Sequence, residues 1–304
     1  MIAGRSQRAG LREIWLVWLL CGLAAAAVVE TYWRIPPAEL WKVHNSGFVG
    51  GIGRALVFVG FSPAVAALGV LPIVADRLEE RRAGLLALVA AGFCATVAVV
   101  QTPSHLDAKW SNALPAIGVA LAVGLTAWAS SRGRRERVRT TRAGDRLRLA
   151  VWLVVLFWAT PYIAAEMGFH LDGVPFFGWF FETGVIKPEP GSSGEFHAAV
   201  HYGHHHGLDG FLLATTALLL SRLLGGMRRL RTLTAAILSL MLVYALTNMV
   251  NDLWTEQVVK RGWTSWEVPD VIQPSLSLAW GAMLLAAAAI YVAFLARRPL
   301  LGRR

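Results

Sequence analysis

The sequence predicts an all-α integral membrane protein, a polytopic transmembrane helical bundle of about eight spans that forms one domain over residues 1–304. Two observations predict this fold. Hydrophobic residues make up 56% of the chain and charged residues 16%, whereas soluble domains carry about 25% charged residues. The charges are also clustered, and the apolar segments between them approach the length that a helix needs to cross a bilayer.

Eight segments come close to the roughly 20 apolar residues of a transmembrane helix. Several are short, so we expect aromatic and arginine residues at their ends to complete each crossing. The first segment has features of a signal peptide, but seven more spans follow, so we expect it to be retained. The predicted spans are Ile14–Val29, Ala55–Ala75, Ala83–Val100, Ala113–Ser130, Leu149–Ala165, Leu208–Leu224, Leu233–Val250 and Leu276–Ala296.

The arginines predict the orientation. If both termini and the even-numbered connections are cytoplasmic, those segments contain 22 of the 29 basic residues, as the positive-inside rule requires. Membrane insertion therefore explains the net charge of +10, and nucleic acid is not an expected partner. We predict a multi-pass protein of the cell membrane with long extracytoplasmic loops. The basic segments are Arg5–Arg12, Arg77–Arg82, Arg132–Arg148, Arg222–Arg231 and Arg297–Arg304.

All eight histidines fall on the extracytoplasmic side of this topology, and six of them lie in the longest loop, residues 166–207. If that stretch is helical, His197, His201 and His204 share one face, with His205 at its edge. Imidazoles with this spacing can close on one divalent cation, and zinc, copper and iron all suit them. The histidines are His44, His105, His170, His197, His201, His204, His205 and His206.

The spacing His197-x3-His201-x2-His204-His205 resembles a histidine box of membrane desaturases and hydroxylases. The resemblance is limited to this one box, because those enzymes use several boxes that face the cytoplasm. Gly203 and Gly207 leave open an alternative in which the helix is broken and the last three histidines belong to a turn before the sixth span.

Polar side chains at other helix ends are further candidates for the site. Glu166 and His170 are spaced i, i+4 at the extracytoplasmic end of the fifth span. Asn248, Asp252 and Glu256 follow the same spacing at the end of the seventh. Because acids at this depth are costly to bury, each is a candidate by default.

The first functional hypothesis is a metalloenzyme that acts on a lipid or lipid-linked substrate at the outer leaflet. Glu195 or Asp252 would act as the general base toward metal-bound water. Zinc would imply hydrolysis, and copper or iron would imply redox chemistry. The candidate metal ligands are His197, His201, His204, His205, His170 and Glu166.

Three alternatives remain open. The histidine loop could be a solvated segment that binds nothing, the chain could be a metal-handling or transport protein, or it could be a non-catalytic subunit of a membrane complex. The predicted span interiors contain no ionisable residue near the middle, which argues against an ion-coupled carrier. The two cysteines, Cys21 and Cys94, fall inside predicted spans, so a cysteine-based metal site is not expected.

Overall fold

The computed structural model describes residues 11–34, 47–100, 108–132, 144–167, 169, 171, 173–181, 186–188, 196–198, 207–259, 261–269 and 271–296. Within these ranges, eight helical segments are long and apolar enough to cross a membrane, which confirms the predicted multi-pass helical fold. The spans are Arg12–Arg34, Gly47–Leu78, Arg81–Val100, Trp110–Ser131, Asp145–Ala164, Gly207–Gly226, Arg231–Val259 and Leu278–Leu295.

Most spans are one α-helix, sometimes extended by a short 3₁₀ or π-helical turn, and the second and third spans each join two helices end to end. The helices are α1 Arg12–Arg34, α2 Gly47–Val59, α3 Ser62–Leu78, α4 Arg81–Ala95, α5 Val97–Val100, α6 Ala113–Ser131, α7 Asp145–Glu166, α8 Phe177–Phe180, α9 Gly207–Ser221, α10 Arg231–Trp254 and α11 Leu278–Ile290. Two three-residue strands, β1 Ile186–Pro188 and β2 Phe196–Ala198, pair antiparallel.

Successive spans run in opposite directions, so the bundle has two ends. We call the end at which α1, α7 and α10 begin the basic end, and the opposite end the distal end. The interior is formed mainly by α3, α9 and α10, whose helices pack against one another and carry much of the buried apolar surface. In contrast, α11 buries only Met283 and Ala287 fully, so it lies at the periphery of the bundle.

The second span begins earlier than the sequence predicts. The glycine-rich start of α2 packs tightly on α1, since a β-carbon at Gly51 would lie 2.6 Å from the carbonyl oxygen of Val29. α2 is helical from Gly47. Arg54, which we expected in a loop, therefore lies inside a span, where it is 1% exposed. Its guanidinium carbon lies 5.0 Å from the centre of the Tyr32 ring.

An ionic network joins three spans at the basic end. Arg222 follows α9 and donates two hydrogen bonds of 3.1 Å to the carboxylate of Asp145 at the start of α7. The same guanidinium lies 3.3 Å from the buried carboxylate of Glu13 in α1. Arg148 completes the network with bonds to Asp145 and to Ser221. The network holds the basic ends of α1, α7 and α9 at one level.

Asp76, near the end of α3, caps the start of α10 at the same end of the bundle. Its two carboxylate oxygens accept backbone N–H bonds from Arg228, Arg229 and Leu230 at 2.9, 2.7 and 2.9 Å. The first N–H groups of a helix have no partner within the helix, and a carboxylate is favoured there by the helix dipole. Asp76 thereby fixes the connection between the sixth and seventh spans.

We expect Asp76→Ala to lower the free energy of unfolding in detergent by about 2–3 kcal/mol, because three N–H groups lose a charged, largely buried acceptor. The measurement is denaturant unfolding followed by circular dichroism. Glu80→Ala is the matched control: Glu80 pairs with Arg132 in an exposed position, and exposed ion pairs contribute little. Equal losses in the two variants would contradict the capping role.

Candidate functional site: a buried carboxylate cluster at the distal end

The polar face of α10 predicted from the sequence is turned into the protein. Asn248, Asp252 and Glu256 follow one another at helical spacing, and they are 5%, 1% and 3% exposed. The last of them lies in a π-helical turn, Thr255–Val259, that continues α10. Such turns often occur at functional sites. This face therefore brings two carboxylates and an amide into the distal part of the bundle.

Tyr162 of α7 faces this row of acids. Its side chain is 3% exposed, and the carboxylate of Asp252 is close enough to act on its hydroxyl electrostatically, although the hydroxyl itself makes no hydrogen bond among the described residues. The carboxylate of Glu256 is close enough to act on the same hydroxyl electrostatically. A phenol and two carboxylates shielded from water can hold or transfer a proton, so this arrangement can support acid–base chemistry.

Two glycines bring the start of α9 into this cluster. A β-carbon at Gly207 would lie 2.2 Å from Cδ2 of Tyr162, and one at Gly210 would lie 2.3 Å from Cγ of Met249. Only glycine permits these approaches, since real β-carbons do not come that close. Between them lies Asp209, which is 2% exposed. The start of α9 thus adds a third buried carboxylate to the bundle, and this one lies near Cys21 of α1.

The cluster lies within the thickness of the membrane. Tyr162 is 17 residues beyond Asp145 along α7, which corresponds to a rise of about 26 Å, and Asp209 is 13 residues from Arg222, a rise of about 20 Å. Asp145 and Arg222 are bonded at the basic end. The hydrocarbon core of a bilayer is about 30 Å thick, so with the Asp145–Arg222 pair placed at its edge, α9 begins in the half of the core nearer the distal end.

Aromatic side chains cover the cluster. The ring of Phe181, which is 2% exposed, stands edge-on to the ring of Tyr162 with centroids 6.0 Å apart. Leu253, Phe177 and Trp158 complete this small apolar group. An apolar cover excludes water and strengthens the electrostatic interactions beneath it.

The structure describes only part of the predicted metal site. Asp252 lies in the buried cluster described above. Glu166 is the last residue of α7, four residues beyond Tyr162 and so on the same helical face, but its side chain is outside the described residues. The positions of Glu195, His44, His105, His170, His201, His204 and His205 also lie outside the described residues, and the metal-ligand prediction for the last four of these histidines stays a prediction.

The backbone at His197 differs from the helix considered for this stretch. His197 lies in β2 and pairs with Lys187 of β1, so it cannot share a helical face with His201 and His204. In a strand, side chains alternate between faces with a period of two. The next described helix begins at Gly207, and the alternative that the glycines break the helix stays a prediction because residues 199–206 lie outside the described residues.

Among the described residues, no group of three or more histidine, cysteine, aspartate or glutamate side chains is arranged to hold a metal ion. Asp209, Asp252 and Glu256 therefore do not form a complete ligand set among themselves. A complete ligand set would need imidazoles in addition to these carboxylate oxygens, and zinc, copper and iron all accept imidazole ligands.

Sequence reasoning missed Tyr162, because a tyrosine near the end of a span is most simply an interfacial anchor. A signal was present nevertheless: Tyr162, Glu166 and His170 are spaced i, i+4, i+8. This spacing mirrors that of Asn248 and Asp252 in the facing helix. Extending the helical face one turn back from Glu166 would have identified the tyrosine.

Comparison with known proteins gives no further assignment. No known protein family, no curated protein and no solved structure matches this chain.

Proposed function

We propose that this protein is a membrane metalloenzyme whose site combines the buried carboxylate cluster with imidazoles of the histidine loop. The observation that carries the proposal is the contact of Gly207 with Tyr162, which faces Asp252. The chain from His201 to His206 is joined directly to Gly207. Six residues span at most about 20 Å, so the imidazoles of His201, His204, His205 and His206 are tethered near the carboxylates.

The proposed orientation puts the distal end on the extracytoplasmic side of the cell membrane. Its support is the arginine distribution, because basic residues remain on the cytoplasmic side during insertion. The helix ends at the basic end carry Arg12, Arg81, Arg148 and Arg231. A substrate would then reach the cluster from the outer leaflet, and lipids or lipid-linked molecules are the class available there.

The proposed roles follow from the chemistry of each group. His201, His204 and His205, with His170, His197 and Glu166, are the candidate ligands of a divalent cation, which would supply Lewis-acid or redox chemistry when bound. Asp252 or Glu195 would accept a proton from the attacking water. Tyr162 would orient the carboxylate of Asp252 and return a proton to the leaving group. Zinc would favour hydrolysis, and copper or iron would favour redox chemistry.

Metal analysis of protein purified without a polyhistidine tag tests the proposal. We expect about one equivalent of zinc, copper or iron per chain, and a loss of about tenfold or more in affinity in the double variant His201→Ala/His204→Ala, because two imidazoles are removed. The matched control is His44→Ala/His105→Ala, which removes two histidines from other connections and should leave the metal content unchanged.

Two outcomes would contradict the proposal. One is substoichiometric metal in the wild-type protein after equilibration with each of the three ions. The other is the same metal content in the His201/His204 variant as in the wild type. Asp252→Asn tests the proton acceptor separately from the metal ligands. This variant should keep the ligand imidazoles while removing a proton acceptor.

Capture and transfer of a metal ion is a second candidate function. The observation that favours it is the depth of Asp209, with Thr216 buried two helical turns further into the membrane on the same face of α9. Polar groups along one face can line a path. Uptake of zinc, copper or iron into vesicles that contain the protein would favour transport, and turnover of a lipid without uptake would favour the enzyme.

A further inference from the structure

The aromatic turn, which we define as residues 173–181, is a third chemical feature of the distal end, in addition to the carboxylate cluster and the histidine loop. Its sequence, GVPFFGWFF, contains no charged residue and is flanked by Asp172 and Glu182. Large apolar side chains here are exposed, with Phe176 at 48% and Trp179 at 67%. In an aqueous loop this exposure would be costly, whereas in contact with lipid it is favourable.

The depth of the turn follows from its contact with α7. Phe157 lies 12 residues beyond Asp145, a rise of about 18 Å. Its ring is centred 5.5 Å from that of Phe176 and 5.2 Å from that of Phe177. These rings are therefore no more than about 24 Å above the level of Asp145, within a hydrocarbon core about 30 Å thick.

Several backbone groups of the turn have partners within the protein. Backbone polar groups that enter the membrane need partners within the protein. The N–H groups of Gly178 and Phe181 donate to the carbonyls of Val174 and Phe177 at 2.8 and 2.7 Å. The carbonyl of Trp179 accepts a 2.9 Å bond from Arg261.

The turn also joins the membrane to the buried cluster. On one side, Phe157, Phe176 and Trp179 are exposed on a surface continuous with the lipid-facing flank of α7. On the other side, Phe181 packs on Tyr162. Phe176 has a φ of +71°, an uncommon and strained conformation for a residue with a side chain. Such strain is often found at clamps and switch regions.

We propose that the aromatic turn is a membrane-seated, lipid-binding element, and that it holds the hydrocarbon chain of a lipid beside the carboxylate cluster. The bound class is an amphiphile with an acyl or isoprenoid chain in the leaflet at the distal end. The chain lies along Phe157, Phe176 and Trp179, and the polar head is directed toward Tyr162 and Asp252. The identification of this lipid as the substrate rests on the proposed metalloenzyme.

The position of the turn can be measured without activity or metal. In a background with Cys21→Ala and Cys94→Ala, a nitroxide is attached to Phe176→Cys, and the protein is reconstituted in vesicles of phosphatidylcholine and phosphatidylglycerol. Collision with oxygen, which concentrates in hydrocarbon, is compared with collision with a water-soluble nickel chelate. Two reference labels are Val154→Cys on the lipid-facing side of α7 and Glu267→Cys in an exposed loop.

We expect the oxygen-to-nickel collision ratio at Phe176→Cys to lie within about twofold of the ratio at Val154→Cys, because both side chains are in hydrocarbon. A ratio equal to that at Glu267→Cys would overturn the proposal. Val174→Cys provides a second label in the turn if removal of the Phe176 ring disturbs folding. The collision ratio at Val174→Cys should also be that of a side chain in hydrocarbon.

The lipid itself is tested with a photoreactive amino acid at Trp179, illuminated in vesicles that contain a lipid with a labelled chain. Covalent capture of the lipid, and its loss when the photoreactive group is moved to Glu267, supports the proposal. Capture that is equal at both positions overturns it. If the protein captures lipid but binds no metal, the metalloenzyme proposal fails and the lipid-binding element stands. If the protein binds metal but the turn is exposed to water, the lipid-binding element fails and the metalloenzyme proposal stands.

Discussion

Gly207→Ala is expected to destabilise the protein by about 1–3 kcal/mol, the range for overpacking a tight contact. Three ring atoms of Tyr162 lie 2.2, 2.4 and 2.6 Å from the position of the new β-carbon. They belong to a ring packed against Phe181, so it cannot simply turn away. The displaced ring would carry its hydroxyl away from Asp252. Urea or sodium dodecyl sulfate titration of the purified protein measures the loss.

The control for this substitution is Gly92→Ala in α4. No atom lies within 4 Å of a β-carbon at that position, and alanine in a helix interior is favoured over glycine by roughly 0.5–1 kcal/mol. We therefore expect Gly92→Ala to be neutral or slightly stabilising. If Gly207→Ala behaved in the same way, the close approach of α9 to Tyr162 would be wrong, and with it the arrangement of the cluster.

Arg222→Met should have the largest effect on stability, a loss of about 3 kcal/mol. Its guanidinium is the shared cation of Asp145 and Glu13, and the Glu13 carboxylate is almost completely buried. Removing one partner of a buried ion pair commonly costs about 3–5 kcal/mol. We expect the lower end here, because the side chains of Arg222 and Asp145 are about a quarter exposed, and Arg148 remains beside Asp145.

A charge-removal series distinguishes electrostatics from lost packing. Adding Glu13→Gln and Asp145→Asn to Arg222→Met removes the two negative charges and should restore more than half of the lost stability. Arg222→Lys keeps the charge but not the paired hydrogen bonds, so it should fall between the wild type and Arg222→Met. A triple variant as unstable as Arg222→Met would indicate that packing, and not charge, dominates at this position.

The two ends of the bundle have different physical characters. At the basic end, carboxylates meet guanidinium groups and helix N–H groups in arrangements that join neighbouring spans, as Asp145 and Asp76 show. At the distal end, Asp252 and Glu256 face a phenol under an aromatic cover. Interactions of the first kind stabilise a fold, whereas buried acids of the second kind are characteristic of sites that bind or transfer ions.

Much of the architecture could be predicted from residue order. The eight spans were predicted correctly because the free energy of moving a segment into lipid depends on the segment's own composition and length. The buried face of α10 was predictable for a similar reason, since the helical period aligns Asn248, Asp252 and Glu256. The exceptions are Arg54, which packing against α1 draws into the second span, and His197, which strand pairing removes from the expected helix.

The components of the candidate site beyond that face required the packed structure. In water-soluble proteins an apolar stripe marks the interior, but lipid tails are as apolar as leucine, so composition does not distinguish a face in contact with lipid from one in contact with another helix. Helix–helix contact in a membrane depends on close fit, as at Gly207 and Gly210. The proximity of Tyr162 to Asp252 and the depth of the aromatic turn follow from that fit.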